Sequence, residues 1–409
     1  MKILIVNCVY AIGSTGKLVK DIANGLYESG IEVVVAYGRG DKISSPWKVV
    51  KLASERIMKI QSLLSKLSGY SYGCSPISTH NLFRLIEKEQ PDIVNLHCIN
   101  ANTVNMAATI EYLKDRHIKT VLSIHAEFPY TGGCGHAYDC MKWKSGCINC
   151  AQFHTRDSQL PVSWIFNRTA NEWRQLKKAY QGFNELVITC VSPWLSSRAE
   201  QSPFFKERKI ISVLNGLDDD IFKPRDSSRL REKHRLKGKK ILLHVTPNFY
   251  FPIKGGKYVL EVARRLEKEL PNSVVIICGY RGDGNDLPSN VITIPFTKNQ
   301  IELAEFYSLA DVTLLTSKRE TFSMVTAETL CCGTPMVAFK AGGPESIALK
   351  EGTLFCDYGD IDALYKNVVE VLSDNLKLEF DVHSARNLYS KTTMKEAYKK
   401  VYEDLINNR

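Results

Sequence analysis

The chain has 409 residues, of which 44% are hydrophobic and 24% charged, with a formal net charge of +10. That length exceeds what one hydrophobic core serves, so a globular chain of two domains is expected. No apolar run reaches the ~20 residues that span a bilayer. The basic balance suits an anionic nucleotide or an anionic membrane surface, and the lack of RNP, KH or zinc-finger spacing argues against nucleic acid. Met1-Lys2-Ile3-Leu4-Ile5-Val6 enters a strand with no signal-peptide layout, an expectation of a cytoplasmic protein whose 12 cysteines are mostly reduced.

A strand at 2–8, a loop Gly13-Ser14-Thr15-Gly16-Lys17, an amphipathic helix at 18–29 and a strand at 31–37 make the βαβ opening of a Rossmann-like domain. The loop lacks Gly-Lys-Ser/Thr and is no Walker P-loop. Gly13 and Gly16 suit either a phosphate approach or a tight turn that needs glycine dihedrals. Residues 48–68 alternate basic and apolar side chains at helical spacing, which fits a helix covering the domain or one resting on anionic lipid. Strands at 91–97 and 119–124 deliver His97 and His125 at their ends, and no role is assigned to His97. Then come Cys134, Cys140, Cys147 and Cys150, spaced C-x5-C-x6-C-x2-C within the loop 131–150. Four such thiols can make a closed, structural four-thiolate zinc site; an iron–sulfur centre and free or redox thiols remain alternatives. A helix at 167–180, strands at 186–191 and 209–214 and a polar stretch at 225–240 put a domain boundary near residue 220.

The second half repeats the alternation: a strand at 240–245, a long loop carrying Lys254-Gly255-Gly256, a helix at 257–270, and strands at 273–279 and 291–295. Gly279-Tyr280-Arg281-Gly282-Asp283-Gly284 lies between those strands, and Thr297-Lys298-Asn299-Gln300 opens the next helix. A buried strand at 311–316 leads to Glu320 in a loop, Ser323 as a helix cap, and Glu328 within the helix, which Gly333 and Pro335 stop. Free N–H groups at the helix start suit phosphate, and two carboxylates beside them suit the hydroxyls of a ribose and a sugar. A strand at 336–339, a Gly342-Gly343-Pro344-Glu345 loop, an edge strand at 353–356 and three helical segments, the last at 394–407, end the chain. Strands alternating with helices predict parallel sheets.

Glu320 and Glu328, with seven residues between them, followed by Cys332-Gly333-Thr334-Pro335, resemble the E-x7-E element of retaining glycosyltransferases of family four. The resemblance implies the GT-B fold, an α/β architecture of two Rossmann-like domains with parallel sheets facing across a cleft. It suggests an acceptor-side domain at 1–220, a donor-nucleotide domain at 221–390, and a C-terminal helix at 391–409 packing back on the first domain. It implies a nucleotide diphosphate sugar as donor and a glycan or lipid-linked acceptor, as in surface polysaccharide assembly. In that setting His125 and Glu320 contact the transferred sugar and Glu328 holds the ribose. Lys254, Gly13, Gly16 and the backbone around Phe322, Ser323 and Met324 meet the donor phosphates. The family's second phosphate-binding residue, an arginine, has no match, since Pro247-Asn248 and Ile253 stand where it belongs. The family commonly has Asp after the histidine, where this chain has Ala126-Glu127. The region 48–68 often faces the membrane in this family, an expectation of peripheral attachment to its inner face. A subset of polysaccharide glycosyltransferases has a similar Thr-Gly-Gly-Cys after the histidine. No Asp-x-Asp element stands out, so no catalytic metal is expected. A GT-B nucleotide-sugar epimerase and a zinc-stabilised scaffold without turnover are the competing readings.

Overall fold

A computed structural model gives the fold and describes every residue except 156, 283, 285–286, 298 and 408–409. The expectations attached to Asp283 and Lys298 therefore lie outside the described residues. The chain divides into two compact units, Met1–Leu214 with Met394–Arg409, and Asn215–Thr393.

The first unit is built on β1 (Lys2–Val9), β2 (Glu32–Arg39), β3 (Lys48–Lys51), β4 (Ile93–Leu96), β5 (Thr120–Ile124), β6 (Leu186–Cys190) and β7 (Lys209–Ser212). They form one parallel sheet in the order β3-β2-β1-β4-β5-β6-β7. β4 and β5 are buried along their whole length, as inner strands of a parallel sheet are. Ile3, Ile5, Val33 and Val35 pack in one core with Met394, Tyr398, Val401 and Tyr402 of the terminal helix Lys391–Asn407. The chain thus closes the core of its first unit with its last residues.

Two local expectations change. The helix after β1 spans Gly13–Glu28, so the glycine stretch is its first turn and not a loop before it. Residues 48–51 are a strand, because Val34 to Tyr37 of β2 offer a parallel partner. The helix that follows spans Glu55–Ser68, with Ser54 accepting from Ile57 N and left-handed Gly69 ending it. Its burial is inverted. It turns Met58, Gln61 and Ser65 inward, where Gln61 Nε2 donates to Ser78 Oγ at 3.0 Å and Ser65 Oγ donates to Tyr70 O at 2.7 Å. Ile60, Leu63, Leu64 and Leu67 are exposed.

The second unit holds β8 (Lys240–Val245), β9 (Ser273–Cys278), β10 (Val291–Ile294), β11 (Val312–Leu315), β12 (Met336–Phe339) and β13 (Thr353–Cys356). They form a parallel sheet in the order β10-β9-β8-β11-β12-β13. Leu242, Val275, Ile277, Leu314 and Val337 form its core with Val259, Val262 and Leu266 of the helix Gly256–Glu269 and Leu364 and Val368 of the helix Ile361–Leu372.

The segment after β5 folds around Glu127. Its carboxylate is fully buried and accepts from Ala137 N at 2.7 Å, Tyr130 OH at 2.9 Å and Arg198 Nε at 2.8 Å. Trp143, also buried, donates from Nε1 to Cys140 O at 2.9 Å, while Arg198 lies over its ring. Glu127 is thereby committed to folding this loop and does not stand in for the aspartate of the family pattern. Nearby, Glu172 is buried with Oε1 accepting from Tyr72 N at 2.9 Å, and burial pushes its carboxyl up to about 8.

Glu127→Ala leaves the Arg198 guanidinium without its buried partner and should cost about 3–5 kcal/mol, read from urea unfolding; an unchanged midpoint would refute the anchoring role. Because Glu172 ionises at higher pH folded than unfolded, the stability it contributes is full below pH 4.5 and is lost as pH rises to about 8. Melting curves across that window should therefore show wild type falling relative to Glu172→Gln, and parallel curves would contradict the assignment.

Candidate functional site

All strands of each sheet run the same way, so their C-terminal ends gather at one edge, where α/β sheets bind ligands. In the second unit that edge carries the predicted donor residues. The Thr316 hydroxyl donates to Lys254 O at 2.8 Å and Lys318 N donates to Ile253 O at 2.8 Å, stitching the loop after β8 onto the end of β11. Gly255 makes this approach possible. Its φ is +69°, and an added Cβ would stand 2.2 Å from Thr316 O. The result is a direct ion pair, Lys254 Nζ to Glu320 Oε1 at 2.6 Å, both side chains partly buried.

Glu320 is held through its backbone. Its N–H donates to Ala341 O at 3.0 Å and its carbonyl accepts from Gly343 N at 2.8 Å. The Glu345 carboxylate secures the facing turn by accepting from Ala341 N at 3.0 Å and Gly342 N at 2.8 Å. That bracing role is what the Gly342-Gly343-Pro344-Glu345 motif supplies, and the motif gave no hint of its partner.

The next helix is Met324–Cys331. Ser323 caps it, its hydroxyl accepting from Thr326 N at 3.2 Å, with φ at +80°. A serine held in this left-handed region is strained, and such strain collects at ligand sites. The N–H groups of the first turn, at Met324 and Val325, have no carbonyl within the helix. Phe322 is buried edge-on against Tyr389, so its side chain belongs to the core. Glu328 sits on the same helix, 9% exposed, with Tyr307 OH donating to its Oε2 at 2.8 Å. Lys254 and Glu320 are thus brought together in the second unit, and Ser323 and Glu328 lie at the cap and on the body of the helix that follows.

His125, Gly13 and Gly16 lie in the first unit. Gly13 opens its helix, and Gly16 is buried with its carbonyl accepting from Ala11 N at 2.9 Å. His125 follows β5, its Nε2 3.0 Å from His97 Nδ1, and the two rings stack at 5.2 Å between centroids. The sequence gave no reason to couple them. β4 and β5 are neighbours in the sheet, and that adjacency is what does so.

The four cysteines of the loop 131–150 lie within electrostatic reach of one another. Cys134 and Cys147 are buried and Cys140 and Cys150 lie at its margin, all as free thiols. Gly132 N donates to Cys147 Sγ at 3.1 Å. Among the described residues no group of three or more His, Cys, Asp or Glu side chains is disposed to hold a metal ion. Glu127 and Trp143 help to order this loop by hydrogen bonds and aromatic burial.

Comparison with known proteins agrees with this architecture. Residues 15–221 match the family described as Glycosyltransferase Family 4, and residues 226–389 match Glycosyl transferases group 1. Among curated proteins, N-acetyl-alpha-D-glucosaminyl L-malate synthase of Bacillus anthracis is 26% identical over 46% of this chain and 50% of its own. D-inositol 3-phosphate glycosyltransferase of Streptosporangium roseum is 31% identical over 32% of this chain and 34% of its own. The chain spans half or less of the length of these relatives. Sucrose-phosphate synthase from Thermosynechococcus elongatus superposes over 100% of both chains with a TM-score of 0.71 at 14% identity. HepE from Anabaena, solved in complex with UDP, covers 99% of this chain and 100% of its own at 0.66 and 15% identity. The first family match alone takes in more than half of the residues, the two sheets are those of the GT-B fold, and the chain belongs to glycosyltransferase family 4.

Proposed function

We propose that this chain is a retaining glycosyltransferase that moves a sugar from a nucleotide diphosphate sugar to a glycan or lipid-linked acceptor in surface polysaccharide synthesis. The observation that carries this reading is the Lys254–Glu320 pair beside the capped helix start that also bears Glu328. Lys254 and the first-turn amides supply positive charge where a diphosphate departs as the sugar C–O bond breaks. The acceptor hydroxyl forms the new C–O bond on the same face, and its proton passes to the leaving phosphate. Glu328, aimed by Tyr307, accepts from ribose hydroxyls, and Glu320, fixed by Lys254 and its backbone, accepts from the sugar. The UDP held by HepE supports a nucleotide ligand for the fold. A hollow of about 380 Å³ beside Ala126, lined by Tyr72, Asn100, Asn102, Phe128 and Gln159, suits an uncharged, hydroxyl-rich acceptor.

A membrane surface is the proposed working place. Among the described residues no helix is long and apolar enough to cross a membrane. The inverted helix Glu55–Ser68 instead presents Ile60, Leu63, Leu64 and Leu67 outward beside exposed Arg56 and Lys59. Trp164, Ile165 and Phe166 extend the apolar face, with Trp164 N donating to Lys66 O at 2.9 Å. Apolar side chains ringed by cations suit the interface of an anionic bilayer.

A thermal-shift panel of UDP-glucose, UDP-N-acetylglucosamine and GDP-mannose tests donor binding; at ligand near 100 Kd the stabilisation is about 2.7 kcal/mol. Glu328→Ala should abolish the shift of the best donor, and an unchanged shift would remove Glu328 from the site. The wild-type protein should co-sediment with vesicles containing anionic lipid. Leu63→Asp combined with Leu67→Asp should release it, and equal binding by that variant would reject this face.

A further inference from the structure

Two cations border the exposed leucines of the helix Glu55–Ser68, and aromatic rings hold them where carboxylates usually would. Lys66 Nζ lies 5.9 Å from the centre of the Trp164 ring, and the Arg168 guanidinium lies over Phe166 at 5.0 Å and over Tyr70 at 5.6 Å. Among the described residues neither cation is paired with an Asp or Glu. Glu55, the one acid of that helix, is taken up by Lys51 at 2.8 Å, and Glu172, a turn beyond Arg168, accepts from Tyr72 N at 2.9 Å. Arg168 Nε is buried with no hydrogen-bond partner among the described residues, which leaves the two Nη groups as the donors that reach outside. The residues are closely knit. Trp164 N donates to Lys66 O at 2.9 Å, and Ser163 Oγ donates to Phe166 O at 2.8 Å. A Cβ on Gly69 would stand 2.4 Å from Phe166 O and 3.1 Å from Arg168 Cγ, so glycine is what lets residues 164–168 lie against the end of the helix. The helix Thr169–Tyr180 begins just after Arg168 and adds the positive end of its dipole there. From these cations the chain leads two ways. Leu63, Leu64, Leu67 and Ile165 are exposed apolar neighbours. Tyr70 adjoins Ser71, and Trp164 follows Leu160 and Pro161, and those three line the hollow of about 380 Å³.

We propose that Lys66 and Arg168 seat the phosphate of a membrane lipid, with its hydrocarbon chain against Leu63, Leu64 and Leu67 and the sugar it bears directed to the hollow. This rests on the membrane face and the acceptor hollow proposed above, and it narrows the acceptor class to a lipid phosphate that carries sugar. An ammonium beside a guanidinium fork complements the terminal oxygens of a phosphate. Cations already resting on rings have given up part of their water and rotamer freedom, so they lose less on meeting an anion. The lining of the hollow is uncharged and the leucines are apolar, so neither offers a phosphate anything. The unpaired charge stands at the seam between them, in the order of sugar, phosphate and chain.

The test uses phosphatidylcholine vesicles of two kinds, matched in surface charge. One is doped with phosphatidic acid, a phosphate monoester, and the other with phosphatidylglycerol, a diester. In co-sedimentation the wild-type protein should bind the phosphatidic acid vesicles about tenfold more tightly. Lys66→Gln combined with Arg168→Gln should erase that preference, and Arg168→Lys, which keeps the charge and loses the fork, should lose most of it. Arg56→Gln combined with Lys59→Gln removes the same charge from the same face; it should weaken binding to both vesicles alike and keep the preference. Equal binding of the wild type to both vesicles, or a preference that survives Lys66→Gln with Arg168→Gln, overturns the seat alone. Release by inorganic phosphate at constant ionic strength overturns it too, since the ligand would then be free phosphate. A wild-type protein that binds neither vesicle sinks the membrane reading itself, and the seat falls with it.

Discussion

Parallel pairing is the constraint from which the rest follows. A parallel strand must be re-entered by a crossover, so every strand of a sheet ends at one edge and every loop that follows it emerges there. In the first unit that edge collects the Gly13 turn, His97 and His125, and in the second Lys254, Glu320 and the Ser323 cap. Lys254 and Glu320 are 66 residues apart, and they meet because β8 and β11 are neighbours in the sheet.

Adjacency alone would leave the ionic groups loosely placed. The second unit tightens them with backbone contacts: Thr316 and Lys318 grip the Lys254 loop, and the turn braced by Glu345 grips Glu320. Long side chains whose backbones are pinned lose less entropy on meeting a ligand, which is how a preorganised charge gains its advantage over water. The positive φ of Ser323 belongs to the same economy of form, since the surrounding contacts maintain a conformation that an isolated serine would leave.

Much of this was legible in the residues. The apolar run before Glu320, the Ser323 cap and the Gly333-Thr334-Pro335 stop describe strand, loop and helix from local chemistry, and the structure has β11 and the helix Met324–Cys331 there. What escaped was whatever depends on a distant neighbour. Lys48–Lys51 carries a pattern that suits a helix or a strand, and only β2 decides between them. Leucines at helical spacing imply an apolar face without saying which way it turns, and here Gln61 and Ser65 find buried partners and take the inner side. The link from Asn95 to Tyr402 spans 307 residues and has no local signature at all.

The terminal helix makes the order of synthesis matter. Every residue of the second unit has been synthesised once Thr393 is added, whereas the first unit still lacks Met394, Tyr398, Val401 and Tyr402. The half translated first is therefore the half completed last, and until then its sheet carries an apolar gap that a chaperone can recognise. A chain truncated after Thr393 would keep that gap permanently, along with an Asn95 that has lost the hydroxyl behind it.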